Sequence, residues 1–380
     1  DIKNHHFSTY ANASQLKQLI QYPFVYFVTK YYPKKNSLLY DGSIMLGVNQ
    51  VQESQPYGFN FKGEGINVGI WDGGAVGEHI DLPQSRNYVI DKEYSNLIDM
   101  YHPTEVGGCL GGSGNIFPQI KGIAPRCNMF YWDFLNDIVQ EIADGKSKYG
   151  IDISNHSYNF SYTNCFQSGL YIPEAADLDK LVYDNPTLLP VVAVGNTATS
   201  NCAVATDTFS SIDIGFQGCK NVLTIGWLFS NEKAVENGGR GPTQDGRIKP
   251  ELVAKGFAVA SLIPNSGYGT VYGSSYSAPQ VSGLAALLYQ KYNQQFFSLP
   301  NASLIKAILI NTARDLGNLG PDYIYGFGKP DAYRAVTSIV NNLFFEDNVS
   351  QGALKIHTIS VPSNFTQLKV SLCWTDKEGS

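Results

Sequence analysis

No stretch of this 380-residue chain approaches the ~18 consecutive apolar residues that a membrane-spanning helix needs. Nothing in it reads as a bilayer span. Charge is sparse: 16% of residues are charged, the formal net charge is -6, and no long basic run occurs. That argues against nucleic acid as a partner, because phosphate backbones are met by clustered Lys and Arg. Cysteine is scarce as well, with six residues at Cys109, Cys127, Cys165, Cys202, Cys219 and Cys373. None has the C-x-x-C spacing of a zinc site. An even number fits disulfides, with Cys165 to Cys202 the first pair expected. Buried free thiols are the alternative. The opening "DIKNHHFSTY" lacks a signal-peptide pattern. Internal repeats and low-complexity tracts are missing too.

What remains is a globular composition, 43% apolar, long enough for one large or two ordinary domains. "ASQLKQLIQY" (13–22) spaces Leu16, Leu19 and Ile20 as a short amphipathic helix. "PFVYFVTKYY" after it reads as a strand. Buried strands then recur at "GEGINVGIWDGG", "GIDISNHSY", "LLPVVAVGN" and "KNVLTIGW", with helices expected near 104–112, 136–148 and 173–184. Strands alternating with helices imply an α/β fold, a doubly wound and mostly parallel sheet covered on both faces. In such sheets function gathers at the carboxyl ends of strands. Asp72, Ser157 and Asn196 lie at or near those ends. Helices are expected at 276–292 and 301–313. Beyond about residue 340 the texture changes: "ALKIHTISVP" and "QLKVSLCWTD" alternate apolar and polar, as antiparallel strands do.

"VYGSSYSAPQVSGLAALL" (271–288) changes character halfway. Ala278, Val281, Leu284, Ala285 and Leu288 share a helical face. Pro279 is tolerated only in the first turn, which sets the helix start near Ser275 to Ala278. A serine at a helix start ordinarily caps it. The other role is nucleophile, with the helix's unpaired N–H groups steadying an oxyanion. A nucleophilic serine needs a base and a group that orients the base. Among the six histidines, His102 stands out, because "HPTE" reads as a helix's first turn. The positive end of a helix dipole favours the neutral imidazole a base must be. Asp72, at a strand end, fits the orienting acid, although such residues also form turns. Asn196 either turns the chain or donates its amide to the oxyanion beside the Ser275 N–H.

These residues together resemble the subtilisin-like serine proteases, the subtilases. "VGIWDGGAVGEHIDL" is similar to their aspartate signature, "HPTEVGG" to the histidine signature (His-Gly-Thr-His-Val-Ala-Gly) and "GSSYSAPQVSG" to the serine signature (Gly-Thr-Ser-Met-Ala-x-Pro). "VVAVGN" resembles the segment ending in the oxyanion Asn. "GGRGPTQDGRIKPELVAKG" and "GIAPRCNMFYWDF" resemble the segment before the serine helix and the strand after the histidine helix. The order is Asp, His, Ser, over roughly residues 60–315. Departures are Pro103 and Glu105, which replace the Gly and second His. "SNHSYN" holds the place of the substrate-pairing strand. Ser157 matches its Ser, while Tyr158 and Asn159 replace Leu and Gly and put the specificity pocket's depth in question.

The resemblance implies a serine endopeptidase with catalytic Asp72, His102 and Ser275, oxyanion donor Asn196, and substrate-binding Ser157, Tyr158 and Asn159. Its partner is a protein or peptide substrate. No cofactor is implied for catalysis. Structural calcium is known in the family, but no carboxylate cluster here is assignable to it. Residues 1–50 are expected as an N-terminal arm or propeptide remnant, 51–340 as the catalytic domain, and 341–380 as the incomplete start of an antiparallel β-sandwich domain. Sequons at Asn12, Asn155, Asn159, Asn301, Asn348 and Asn364 point to a secreted or cell-surface location. The Asn155 sequon, inside a strand, is expected to stay unused. Three rivals stand: an inactive subtilase-like binding or adhesion module, an exopeptidase, and a nucleotide-binding domain. The last fails because Gly63 and Gly65 precede their strand instead of following it.

Overall fold

The computed structural model describes residues 13–19, 21–22, 40–91, 100–160, 167–198, 209–361, 363 and 368–379. The chain forms one unit over Asp1–Ser37 and another over Leu38–Ser380. The first contributes α1 (Ala13–Leu19). The strand expected at 23–32 lies outside the described residues. The second unit opens with α2 (Tyr40–Met45) and α3 (Val48–Gln52). Leu46, Val48 and Val51 are fully buried in the main core.

Alternation along β1 (Asn67–Asp72) assigns its faces. Val68 and Ile70 join one core, whereas Trp71 joins the other. Asp72 thus projects from the Val68–Ile70 face. The chain continues through β2 (Asn87–Val89), α4 (Tyr101–Gly111), β3 (Asn128–Asp133) and α5 (Ile138–Tyr149). Then come β4 (Ile153–His156), α6 (Pro173–Asp184), β5 (Leu189–Ala193), β6 (Leu223–Leu228) and β7 (Leu252–Lys255). These strands form one seven-stranded sheet in the order β2-β3-β1-β4-β5-β6-β7, parallel throughout. The chain builds leftward to β3 and then crosses to β4, on β1's other side. That reversal opens a crevice at the carboxyl ends of β1 and β4.

A hairpin follows, β8 (Val259–Ile263) and β9 (Gly267–Val271), antiparallel. Pro264, Asn265 and Ser266 form its loop, the last two with positive φ. A 3-10 turn over Ser274–Tyr276 leads into α7 (Ala278–Phe296); α8 (Ala302–Thr312) and α9 (Ala332–Val340) complete the fold. The apolar stripe expected on α7 is wider in the structure. Leu284, Ala285, Ala286, Leu287 and Leu288 are all fully buried, so the helix is a central strut with apolar neighbours all round. Each such leucine contributes ~1.5–3 kcal/mol of burial. On the sheet's other face, Trp71 stacks on Trp132 at 4.5 Å, and its indole N–H donates to Glu141 at 3.0 Å.

The described residues beyond 341 form no strand. Alternation alone does not make a sheet when neither face is covered: Leu354, Ile356, Leu372 and Trp374 are largely exposed. Instead Asp376 exchanges backbone bonds with the Asn221 side chain, at 2.9 and 2.7 Å. Cys165 and Cys202 lie outside the described residues. Cys109, Cys127, Cys219 and Cys373 are free thiols, and burial pushes those of Cys109 and Cys127 up to about 12. No described helix is long and apolar enough to cross a membrane.

Candidate active site

Three segments converge on the crevice. The first is the end of β1. Asp72 is 1% exposed, and its Oδ1 accepts the Gly73 N–H at 2.7 Å. The loop after it is tied to α4 by Gly77 N–H, which donates to Thr104 Oγ1 at 2.7 Å. The second segment is the first turn of α4, which carries His102. Its Nδ1 lies 2.6 Å from Asp72 Oδ1, so Nε2 is the ring nitrogen left free of that contact, on a partly buried ring. Pro103 sits comfortably here because the first turn needs no N–H from it.

Electrostatics at His102 differ from the expectation drawn from the helix dipole. Burial works against the charged ring, but the Asp72 carboxylate and then Glu105 outweigh it, so the pKa is raised above 6.5. Glu105 is itself raised by burial, and its Oε2 accepts the Tyr276 hydroxyl at 2.6 Å. The Tyr276 ring lies 5.6 Å from the imidazole. The sequence marked Glu105 as standing in the place of the family's second His, but did not pair it with Tyr276.

The third segment is the turn into α7. Gly273 has φ +144, open to glycine alone among ordinary residues. Ser274 then clasps the end of β5: its N–H donates to Asn196 Oδ1 at 2.8 Å and its Oγ accepts the Gly195 N–H at 3.1 Å. With the carbonyl side of the Asn196 amide engaged, its NH₂ is the end left to donate. The Ser275 N–H has no partner among the described residues. Ser275 Oγ donates to the Ser157 carbonyl at 3.1 Å, and Ser157 Oγ donates back to the Ser275 carbonyl at 2.8 Å. No hydrogen bond joins Ser275 to His102. The structure brings Asp72 and His102 into contact and sets Ser275 against the end of β4.

A buried polar chain holds that end in place. Ser282 of α7 donates to Asn155 Oδ1 at 2.9 Å, and Asn155 Nδ2 donates to Ser157 Oγ at 3.0 Å. Asn155 is fully buried. Tyr158 also lines the crevice; its hydroxyl meets His156 Nδ1 at 2.8 Å and its ring packs on Phe134. Asn159 is exposed at one edge but donates Nδ2 to Asp213 Oδ2 at 2.8 Å. A cavity of about 150 Å³ opens here, lined among others by Ser157, Asn159, Gly195, Asn196, Asp213 and Ser275. Asp213 was not singled out in the sequence. No described group of three or more His, Cys, Asp or Glu could hold a metal ion, so no residue is assigned to calcium.

The model of the subtilase family matches residues 63–328, a span holding every segment above. The chain belongs to the subtilase family. Subtilisin DY of Bacillus licheniformis is 24% identical over 75% of this chain and 96% of its own length. The serine protease/ABC transporter B family protein tagA of Dictyostelium discoideum is 25% identical over 75% of this chain, which spans only 20% of that relative. Among solved structures, the CspB protease of Clostridium perfringens is 16% identical with a TM-score of 0.66, covering 80% of this chain and 99% of that one. The protease domain of PatA, solved as a serine-to-alanine mutant, gives 0.60 at 19% identity, over 74% and 98%. Both share the subtilase's fold. Family membership places the chain among serine peptidases.

Proposed function

We propose that this subtilase is a serine endopeptidase that cuts peptide bonds through an acyl-enzyme. The observation that carries the reading is the 2.6 Å contact between His102 Nδ1 and Asp72, in the crevice that also receives Ser275. Asp72 holds the tautomer with Nδ1 protonated, so that Nε2 is the free base. Ser275 attacks the carbonyl while His102 takes its proton. A turn about the serine's Cα–Cβ bond carries the hydroxyl from Ser157 toward the imidazole; catalytic hydrogen bonds often form only with substrate present. His102 then protonates the leaving amine, and water repeats the sequence to release the acid product. The Asn196 NH₂ and the Ser275 N–H receive the oxyanion. The backbone of 157–159 pairs with the extended substrate. Tyr158 joins Ser157 and Asn159 in lining the site that receives the substrate.

Glu105 acts as a further carboxylate near the imidazole, and Tyr276 holds it. An extracytoplasmic location belongs to the same reading, supported by the exposed sequon at Asn348; glycosidase treatment of the protein from its natural source should increase its mobility on a gel.

The test is digestion of an unstructured protein by the wild type and by Ser275→Ala, with cut positions mapped by mass spectrometry. Internal cuts should appear with the wild type alone, the variant being slower by about 10⁴–10⁶. Cuts confined to chain ends would make it an exopeptidase. A wild type that neither cuts nor takes a fluorophosphonate label would make it a binding module.

A further inference from the structure

The cavity beside Ser275 holds a charge that the chemistry above does not use. Asp213 is 4% exposed and held rigidly: Ile212 and Ile214 on either side are buried, and its own N–H donates to the Val194 carbonyl at 3.1 Å. Its carboxylate accepts the Thr197 hydroxyl at 2.5 Å and the Asn159 amide at 2.8 Å. Among the described residues no Lys, Arg or His contacts it. Carboxylates this deeply buried are ordinarily paired with a cation. Here every partner is neutral. Burial lifts the Asp213 pKa above its ordinary value, with Thr197, Asn159 and the Asn196 backbone opposing. The backbone is also shaped around this group. Gly195 has φ +108, and a Cβ there would lie 2.2 Å from Asp213 Cγ, so any larger residue would displace the carboxylate.

The two carboxylate oxygens carry four lone pairs between them, so the donors from Thr197, Asn159 and the Asn196 backbone leave room for another. Among the described residues that line the cavity, Asp213 is the one with a formal charge. The volume of about 150 Å³ is of the size that accommodates a benzene ring (~150 Å³), enough for a short hydrocarbon stem and its head group. We propose that Asp213 is the specificity determinant of this site and receives the cationic head of a Lys or Arg side chain on the acyl side of the cut bond. The stem would run past Ser157 and Gly195, and Asn159 and Thr197 would keep the carboxylate aimed. Asn159, instead of closing the pocket, then serves as its positioning residue. This rests on the protease reading, because it concerns the same crevice.

Two measurements test it independently. In the first, a peptide library is digested with the wild type, and matched Arg and Leu substrates are compared in the wild type and in Asp213→Asn. Cuts should follow Lys or Arg. The ratio of kcat/KM for the Arg over the Leu substrate should fall about 100-fold in the variant, as when one side of a buried charge pair is removed. A wild type that prefers Leu, Phe or Gln overturns the proposal without any variant needing to fold, and so does an unchanged ratio. The second needs no turnover. Product-like peptides ending in Arg or in Leu are titrated calorimetrically into Ser275→Ala and into the double variant with Asp213→Asn. Arg should bind at least about tenfold tighter in the first and lose that advantage in the second. Equal binding in Ser275→Ala overturns the assignment of Asp213. Should Ser275→Ala instead digest protein as fast as the wild type, the nucleophile is wrong, and the binding comparison still decides on Asp213.

Discussion

Two buried carboxylates on the same chain are treated in opposite ways. Glu251, at the β7 edge of the sheet, meets Lys249 Nζ at 2.7 Å and Lys306 Nζ at 3.4 Å, and also accepts the Thr224 N–H at 2.7 Å. Burial would raise its pKa, but the two ammonium groups outweigh it and hold it below the ordinary value. Asp213, in the crevice, has neutral partners and is raised; Glu105, held by a phenol, is raised as well. Glu251's electrostatic needs are met within the chain, which suits a structural brace. The crevice acids retain unmet attraction for positive charge, which suits groups that act on something arriving from outside. A buried acid without a cation is thus a better pointer to a working surface than burial or charge taken singly.

The widest gap between these regions should appear in activity. Asp72→Asn keeps the shape of the crevice but fixes the wrong imidazole tautomer, and kcat should fall about 10⁴-fold, read with a fluorogenic peptide. The same assay on Glu251→Gln should change little once the protein is folded. The next effect is on stability, with the roles reversed. Glu251→Gln leaves two lysines uncompensated and should cost about 3–5 kcal/mol in denaturant unfolding. Because Glu251's folded pKa lies below the unfolded carboxylate value of ~4.3, its contribution is present above that value and lost as pH falls through the folded one. The deficit of Glu251→Gln should therefore shrink in acid.

A smaller loss is expected from Asn155→Ala, which breaks the chain from Ser282 to Ser157. Leaving those hydroxyls short of a partner should cost about 1–3 kcal/mol and raise KM for long peptides more than for short ones. Smallest of all is Glu105→Gln. Removing a negative charge near His102 lowers the pKa of its imidazole. Since the protonated ring cannot accept the serine's proton, the acid limb of kcat/KM against pH should move downward. An upward move would exclude Glu105 as a neighbour that tunes the base.

Much of this architecture was legible from residue order. Val68, Ile70 and Asp72 announce a buried strand that ends in a polar group, and β1 follows that pattern. His102 beside Pro103 marked a first helical turn, and α4 begins there. Other features depended on what packs nearby. The α7 stripe read as one face because Ala286 and Leu287 carry no periodic signal of their own; the sheet and helices around them decide their burial. The terminal alternation after 352 promised strands, but alternation specifies two faces and cannot say whether anything covers either. The β8–β9 hairpin was passed over although Asn265 and Ser266 carried its turn chemistry. Asp213 had no motif at all. Its meaning comes from Gly195, Thr197 and Asn159, brought to it by the crossover between β4 and β6.

The stacked pair Trp71 and Trp132 has a practical use. Trp71 directly precedes Asp72, and its indole N–H rests on Glu141, whose pKa burial raises to about 7. Ionisation of that carboxyl near neutrality should perturb the indole's ground-state dipole and shift its emission. Two rings at this spacing should also couple excitonically and give a signed near-ultraviolet circular dichroism band. The molecule thereby carries an intrinsic spectroscopic reporter one peptide bond from the carboxylate that meets His102, readable without any label.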